Sequence, residues 1–239
     1  MSKDIFKILL LIARPAAGKS EILFHLRNTP LEERIRRYHI GKMVEIDDFP
    51  MLWAWFEEDD ILSEMGYPRL HSDPDYNFLG KHLWNVLIRR ISLEYRKLRR
   101  DHPHLHQEHT VLIEFARGKE HGGFREAFRH LSDEIVERMG VMYINVSWEE
   151  SLRKNRARFN PQRPDSILEH GLPDEKMEKL YRYVDWEETS ADDPHFLTIQ
   201  GRRVPYVVFE NEDDVTTRGG EALAARLEET LGRLWRIYS

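Results

Sequence analysis

The sequence predicts an α/β fold built on a doubly wound, five-stranded parallel sheet with a helical lid insertion. Five short runs are apolar almost throughout, which is typical of strands buried on both faces. Segments with helical spacing of apolar residues separate these runs, and such alternation favours a parallel sheet with helices on both faces. The chain shows no internal repeat and no low-complexity linker. We therefore expect residues 1–239 to form one domain.

The predicted elements follow in order along the chain. Strands are expected at residues 7–13, 43–46, 110–114, 141–146 and 204–209. Helices are expected at residues 20–27, 76–100, 124–139, 148 onward and 220–235. Residues 151–193 are more polar and carry no apolar strand, which indicates an insertion or lid.

Composition limits the classes of function. The chain has no cysteine, which excludes disulfides, a thiolate nucleophile and a zinc site with Cys ligands. A formal net charge of −6 argues against a general nucleic-acid binder, because such binding depends on neutralising phosphates. No apolar stretch reaches the roughly 18 residues of a membrane span, and no signal-peptide pattern is evident. We therefore expect a cytoplasmic protein without a membrane or nucleic-acid partner.

The most specific local pattern is a phosphate-binding loop between the first strand and the first helix. It fits A/G-x4-G-K-S/T and comprises Ala13, Arg14, Pro15, Ala16, Ala17, Gly18, Lys19 and Ser20, with Glu21 as a further candidate contact to the nucleotide. Gly18 allows the tight turn that aims N–H groups at phosphates, and Lys19 can reach the β- and γ-phosphates. The Ser20 hydroxyl is a candidate Mg²⁺ ligand. The alternative is an ordinary glycine-containing turn between a strand and a helix.

On these residues the chain resembles the P-loop small-molecule and nucleotide kinases. The order of elements is similar over nearly the whole chain, but only the phosphate loop is highly specific. The resemblance implies ATP and Mg²⁺ as cofactors and a sheet with strand order 2-3-1-4-5. It also implies that the acceptor meets the nucleotide at the carboxyl ends of the strands. Ala13 stands where the motif usually has its first glycine, which the relaxed form of the motif permits.

Acidic residues close the second predicted strand. Asp47 and Asp48 come directly after the apolar residues of this strand. The carboxyl ends of parallel strands face the ligand crevice, where a carboxylate can accept the proton of an attacking hydroxyl. We expect Asp47 to be this base, with Asp48 as second choice. The alternative for Asp48 is an acidic cap on a helix that begins near Pro50.

The third predicted strand also ends on an acid. Glu114 resembles the acidic residue of a Walker B strand, which implies that it either binds Mg²⁺ or accepts the acceptor's proton. Arg117 follows three residues later and is a candidate clamp for an anionic acceptor or for the transferring phosphoryl group. The alternatives are a solvent-facing strand end for Glu114 and a surface arginine or a salt bridge for Arg117.

The polar insertion begins with a basic stretch. The resemblance implies a lid whose arginines close over the phosphates, and Arg153 and Arg156 are the candidates because they share a helical face. Arg158 lies on a different face, and a solvated helix surface is the alternative for the whole stretch. Asn211, in the loop after the last strand, is a candidate contact to the base of ATP, although an Asn in an acidic turn is common in any loop.

Aromatic residues Trp53, Trp55, Phe56 and Tyr67 follow the acidic turn, and they either stack on a ring of the acceptor or pack in the core. Together these features predict an ATP-dependent phosphotransferase that moves the γ-phosphoryl group to a hydroxyl or phosphate of a small molecule. A nucleoside or nucleotide is the first choice of acceptor. The alternative is a regulatory NTPase that switches a protein partner. The sequence also allows a homodimer.

Overall fold

The computed structural model describes residues 4–158 and 172–239. Its strands are β1 (Ile8–Ala13), β2 (Lys42–Asp47), β3 (His109–Phe115), β4 (Met139–Asn145), β5 (Phe196–Ile199) and β6 (Arg202–Glu210). Its helices are α1 (Lys19–Asn28), α2 (Leu31–Tyr38), α3 (Phe49–Glu64), α4 (His82–Asp101), α5 (Gly123–Arg129), α6 (Asp133–Val136), α7 (Trp148–Arg158), α8 (Asp174–Tyr181), α9 (Trp186–Ser190), α10 (Val215–Arg218) and α11 (Gly220–Tyr238). Short 3-10 turns lie at Leu105–Gln107 and Lys119–His121.

The strands form one sheet in the order β2-β3-β1-β4-β6-β5. The pairs β2–β3, β3–β1, β1–β4 and β4–β6 are parallel, whereas β5 pairs with β6 in the antiparallel direction. The expected five-stranded, all-parallel P-loop sheet is therefore wrong. The sheet has six strands, mixed direction and a hairpin at one edge.

The extra strand follows from a tight turn that the sequence analysis did not identify. Gln200 and Gly201 both have left-handed backbone angles, with φ of 51° and 75°, and such angles at both central residues suit a two-residue hairpin turn. The turn joins β5 to the first half of β6, while the second half of β6 pairs with β4. β5 is only four residues long and directly follows the polar insertion, so its apolar pattern is weak.

Helices cover both faces of the sheet. One core cluster joins the sheet to α4 and α5 through Ile88, Ile91 and Phe124, and the other joins it to α1 and α11. All six residues of β1 are buried, as expected for the strand in the middle of a sheet. Two helix predictions differ in extent: α4 begins at His82 rather than 76, and residues 124–139 contain α5, α6 and the first residue of β4.

Residues 159–171 of the predicted lid lie outside the described residues. The described part of the lid, residues 151–158 and 172–193, contains most of α7 together with α8 and α9. No helix in the part of the chain that the structure describes is long and apolar enough to cross a membrane.

Candidate functional site

The phosphate loop connects the central strand β1 to the first turn of α1. Gly18 caps α1 with φ 110°, a backbone angle that side chains rarely tolerate, and Ala16 also has a positive φ of 56°. The first N–H groups of a helix have no partners within the helix, so they are available to an anion at this end. Lys19 and Ser20 open α1, and both line a cleft at the carboxyl edge of the sheet.

A buried amide fixes the loop from behind. Asn211 is fully buried, and its Nδ2 donates to the carbonyl oxygen of Ala17 and to Oγ1 of Thr216, each at 2.8 Å. Its Oδ1 accepts from the backbone N–H of Thr216 at 3.2 Å. A Cβ atom on Gly18 would lie 2.5 Å from Thr216 Oγ1 and 2.9 Å from Asn211 Nδ2. Glycine is thus required here by close packing as well as by backbone angle.

Asn211 is therefore not in the position expected from the sequence, which was a contact to the base of ATP. Its amide hydrogens and its oxygen all bond within the protein, so it positions the loop and does not face the cleft. Residues Thr217 and Gly219 come shortly after it and do line the cleft. They bring the loop after β6 to the same cleft as Lys19 and Ser20.

Two further side chains hold the loop against the lid helix. Ser151 Oγ in α7 donates to the carbonyl oxygen of Pro15 at 2.8 Å. Arg14 reaches away from the cleft and donates to the carbonyl oxygens of Val146 and Arg182 at 3.4 and 3.2 Å. Of the predicted loop, Ala13 is buried in β1, and Pro15, Ala16 and Ala17 line the cleft.

Asp47 and Glu114 lie side by side at the ends of neighbouring parallel strands. They are direct register partners on β2 and β3, so their side chains share one face of the sheet. Burial, followed by the charges of Glu114 and Asp48, raises the pKa of Asp47 to about 7. Burial and the charge of Asp48 also raise the pKa of Glu114, while Lys19 opposes this shift. A carboxyl group that titrates near neutral pH is suited to accept a proton.

Asp48 and Arg117 form a buried ion pair. Arg117 Nη2 lies 2.6 Å from Asp48 Oδ2, with 2% and 8% of their side chains exposed. The guanidinium also donates to the carbonyl oxygens of Ala116 and Trp84, and it lies over the Trp84 ring. Asp48 is the cap residue of α3, but its side chain makes no capping hydrogen bond; Asp47 Oδ1 instead accepts from the N–H of Phe49 at 3.0 Å. Of the roles considered for Arg117, the geometry matches the salt bridge.

Lys19 is the cation positioned to act on a ligand. It has no hydrogen-bond or ion-pair partner among residues 4–158 and 172–239. Its charge nevertheless acts on both Asp47 and Glu114 and opposes the rise in the pKa of each. Opposite it, Arg158 Nη2 of α7 lies 3.7 Å from Glu21 Oε2, and both residues line the cleft. The site therefore combines a cationic loop with an acidic wall.

The cleft joins the phosphate loop to a region rich in aromatic side chains. Its volume is about 2370 Å³, well above the roughly 300–1,000 Å³ of a pocket for one drug-sized ligand. Lys19 and Ser20 form one part of its wall, and Asp47 and Glu114 form another. Phe56 of α3 and Trp84 of α4 also line it. Such a cleft has room for two substrates.

The two predicted lid arginines do not reach the cleft. Arg153 pairs with Glu150 and Asp214, and Arg156 pairs with Asp174; both are more than half exposed. Within its described lining the cleft contains neither of them. Sequence reasoning selected the wrong face of α7, because the spacing of basic residues does not reveal which side of the helix meets the loop.

The residues present fit a Mg²⁺ ion bound together with a nucleotide. Within the described ranges, no group of three or more His, Asp or Glu side chains is arranged to hold a metal alone. Mg²⁺, however, is usually held by one or two protein ligands together with substrate phosphates and water. Ser20 is exposed at the start of α1. The pKa values of Asp47 and Glu114 are raised by burial and, second to it, by neighbouring carboxylates, and a divalent cation would favour the ionised form of both.

Sequence reasoning missed several residues of the cleft. Trp84 and Lys176 line it although they lie in α4 and α8, far along the chain from the loop. Arg158 was placed on an unused face. No local pattern marks these positions, and only their proximity in the fold brings them to the site.

No family model and no curated protein matches the sequence. Among solved structures, the chain is similar to the one described as the crystal structure of APE1195. The TM-score is 0.43, with 16% identity over 97% of this chain and 98% of that chain. At this level the similarity supports no statement about family or activity.

We predict that Gly18→Ala destabilises the protein by about 1–3 kcal/mol more than Gly201→Ala. Both glycines have a positive φ, but a Cβ at Gly201 would meet nothing within 4 Å. The difference between the two variants therefore reports the contacts with Thr216 and Asn211 together with the greater backbone strain at the larger φ of Gly18. Chemical denaturation of each variant measures it, and equal losses would contradict the close packing described here.

We predict that Asp47→Asn stabilises the ligand-free protein at pH 8 by on the order of 2 kcal/mol and stabilises it by less than half as much at pH 5. A raised pKa means that the folded state holds this proton more tightly than the unfolded state. Stability is therefore lost as pH rises from about 4 towards 7, while the carboxylate ionises in its buried place. Asp75→Asn, at an exposed position in the loop between α3 and α4, is the control. Denaturation at both pH values measures the effect, and an equal change at pH 5 and pH 8 would contradict it.

Proposed function

We propose that this chain is an ATP-dependent phosphotransferase that moves the γ-phosphoryl group of Mg-ATP to a hydroxyl group of a small molecule. The observation that supports it best is the pairing of two features in one cleft. Lys19, without a partner in the described protein, lies at the head of a glycine-capped helix. The register pair Asp47 and Glu114 lies across from it, with carboxyl pKa values raised by burial.

Each side chain has a role in this reaction. The N–H groups at the start of α1 and the Lys19 ammonium bind the phosphates and offset the charge that develops during transfer. Asp47 accepts the proton of the attacking hydroxyl and aligns that hydroxyl with the phosphoryl group. Arg158, on the lid helix that Ser151 ties to the loop, lines the same cleft and contributes further positive charge to the phosphates.

Mg²⁺, when bound, neutralises phosphate charge and favours the in-line geometry of transfer. Ser20 would be its protein ligand, and Glu114 would act on it directly or through water. A carboxylate in the Asp47 position could act on the attacking water of an NTPase as well as on an acceptor hydroxyl. The cleft beyond it has room for a second substrate, and this favours the phosphotransferase over the NTPase alternative.

We predict that Lys19→Ala lowers transfer of labelled γ-phosphate by about 100-fold or more and weakens ATP binding. Asp47→Asn should instead leave ATP binding intact and lower transfer by about 100-fold or more, because it removes only the proton acceptor. Lys42→Ala is the matched control, since Lys42 pairs with Glu108 on the surface at the far end of β2.

The measurement is transfer from γ-labelled Mg-ATP to pooled small metabolites, with ATP binding followed by calorimetry. Transfer by the unmodified protein and by Lys42→Ala alone supports the proposal. Release of labelled phosphate without a labelled acceptor favours the NTPase. Unchanged transfer in Asp47→Asn would reject Asp47 as the base.

A further inference from the structure

An aromatic wall lines the part of the cleft beyond the acidic pair. The rings of Phe56 and Tyr76 have centroids 5.0 Å apart, and Trp53 lies 6.1 Å from Phe56. Trp84 extends the wall, and its ring centroid lies 4.7 Å from that of Phe78. Aromatic faces bind flat or apolar groups, and they also attract cations through the negative charge of the ring face.

Two cationic side chains that line the cleft beside this wall, Arg117 and Lys176, already have partners. Arg117 is paired with Asp48 and almost fully buried. Lys176 Nζ donates to the carbonyl oxygens of Asp75 and Tyr76 at 2.7 and 2.8 Å, and burial lowers its pKa. Neither cation is placed to pair with an anionic group on a ligand.

Histidine supplies no positive charge either. His121 stacks on Trp84 at 3.9 Å, and burial followed by the charges of Arg117 and Lys81 lowers its pKa to about 3. Its Nδ1 accepts from the N–H of Gly118, so the ring is neutral with its hydrogen on Nε2.

Acidic side chains set the charge of the same region. Asp47 and Glu114 lie at its entrance, and Glu57 follows Phe56 in α3 and also lines the cleft. A phosphorylated acceptor would bring a further one to two negative charges beside these carboxylates, where Lys19, the cation whose charge acts on both, is already assigned to the phosphates of ATP. The energetic cost of an unpaired charge in a partly buried site is large, so such a ligand is disfavoured.

We propose that the phosphoryl acceptor is an uncharged or positively charged hydroxyl compound with an apolar or ring-shaped body, and not a phosphorylated or otherwise anionic one. This inference rests on the proposed phosphotransferase activity and narrows its substrate class. The hydroxyl lies at Asp47, and the body of the acceptor lies against Phe56, Tyr76 and Trp84. It replaces the expectation that Arg117 clamps an anionic acceptor.

The test separates the metabolite pool by charge before the transfer assay. An anion-exchange column at pH 8 divides the pool into an unretained fraction of neutral and cationic compounds and a retained anionic fraction. The full-length protein receives each fraction with γ-labelled Mg-ATP, and Lys19→Ala serves as the blank. We expect the label to enter compounds of the unretained fraction at least tenfold more than those of the retained fraction.

The outcomes distinguish the two proposals. Label that enters mainly the retained fraction overturns the charge assignment and leaves the phosphotransferase intact. Label that enters neither fraction overturns the phosphotransferase itself, and the charge assignment falls with it. The nucleosides and their 5′-monophosphates, tested as matched pairs, give the same comparison with defined compounds.

A variant tests the aromatic wall. Phe56→Leu keeps an apolar side chain but removes the ring face, and it should raise the KM for the unretained acceptor about tenfold while leaving the KM for ATP unchanged. Tyr183→Leu is the control, because Tyr183 is exposed and lies outside the described cleft lining. Thermal melting confirms that both variants fold. An unchanged acceptor KM in folded Phe56→Leu would overturn the placement of the acceptor.

Discussion

The hydrogen bond from Asn211 to the Ala17 carbonyl is the contact on which the site depends. It joins the end of β6 to the loop after β1, two segments that no strand pairing connects directly, since β4 lies between them. Because Asn211 also bonds Thr216 through both ends of its amide, it connects the loop, the turn after β6 and α10. A loop that is already in place loses little conformational freedom when it binds phosphates.

The same unit extends to the lid helix. Lys154 of α7 is buried and donates to Thr216 Oγ1 at 2.9 Å and to Asp214 at 2.6 Å. A buried lysine on this helix therefore has an anchoring role, and Arg158, one turn farther along α7, is carried to the cleft by it. In this basic stretch Lys154 anchors the helix, and Arg158 lines the cleft. Arg153 and Arg156 form ion pairs at the surface.

The sequence alone could locate the parts of the site that are local in the chain. The phosphate loop and the acids after β2 and β3 could be found because each follows an apolar strand, and parallel strands end at one edge. Arg158, Trp84 and the role of Asn211 could not, because they depend on contacts between distant segments. The strand β5 was missed for a related reason: four residues give too little periodicity, and the hairpin that stabilises them is formed with β6.

The acidic pair shows how the site differs from the rest of the core. Other buried charges of the described core have partners, as Asp48 has Arg117 and as Arg34 has the carbonyl oxygens of Leu26 and Gly41. Asp47 and Glu114 instead are neighbours on β2 and β3, and neither forms an ion pair within the described residues. Lys19 opposes the rise in the pKa of both, Arg158 also opposes that of Glu114, and both cations are expected to bind phosphate. Because the carboxyl groups resist ionisation in the ligand-free protein, a bound cation or a hydroxyl donor gains energy by relieving them. Burying the two acids side by side lowers the stability of the ligand-free protein. The same unfavourable burial increases the affinity for a cation or a hydroxyl donor, which explains why both acids can lie at the end of a buried sheet.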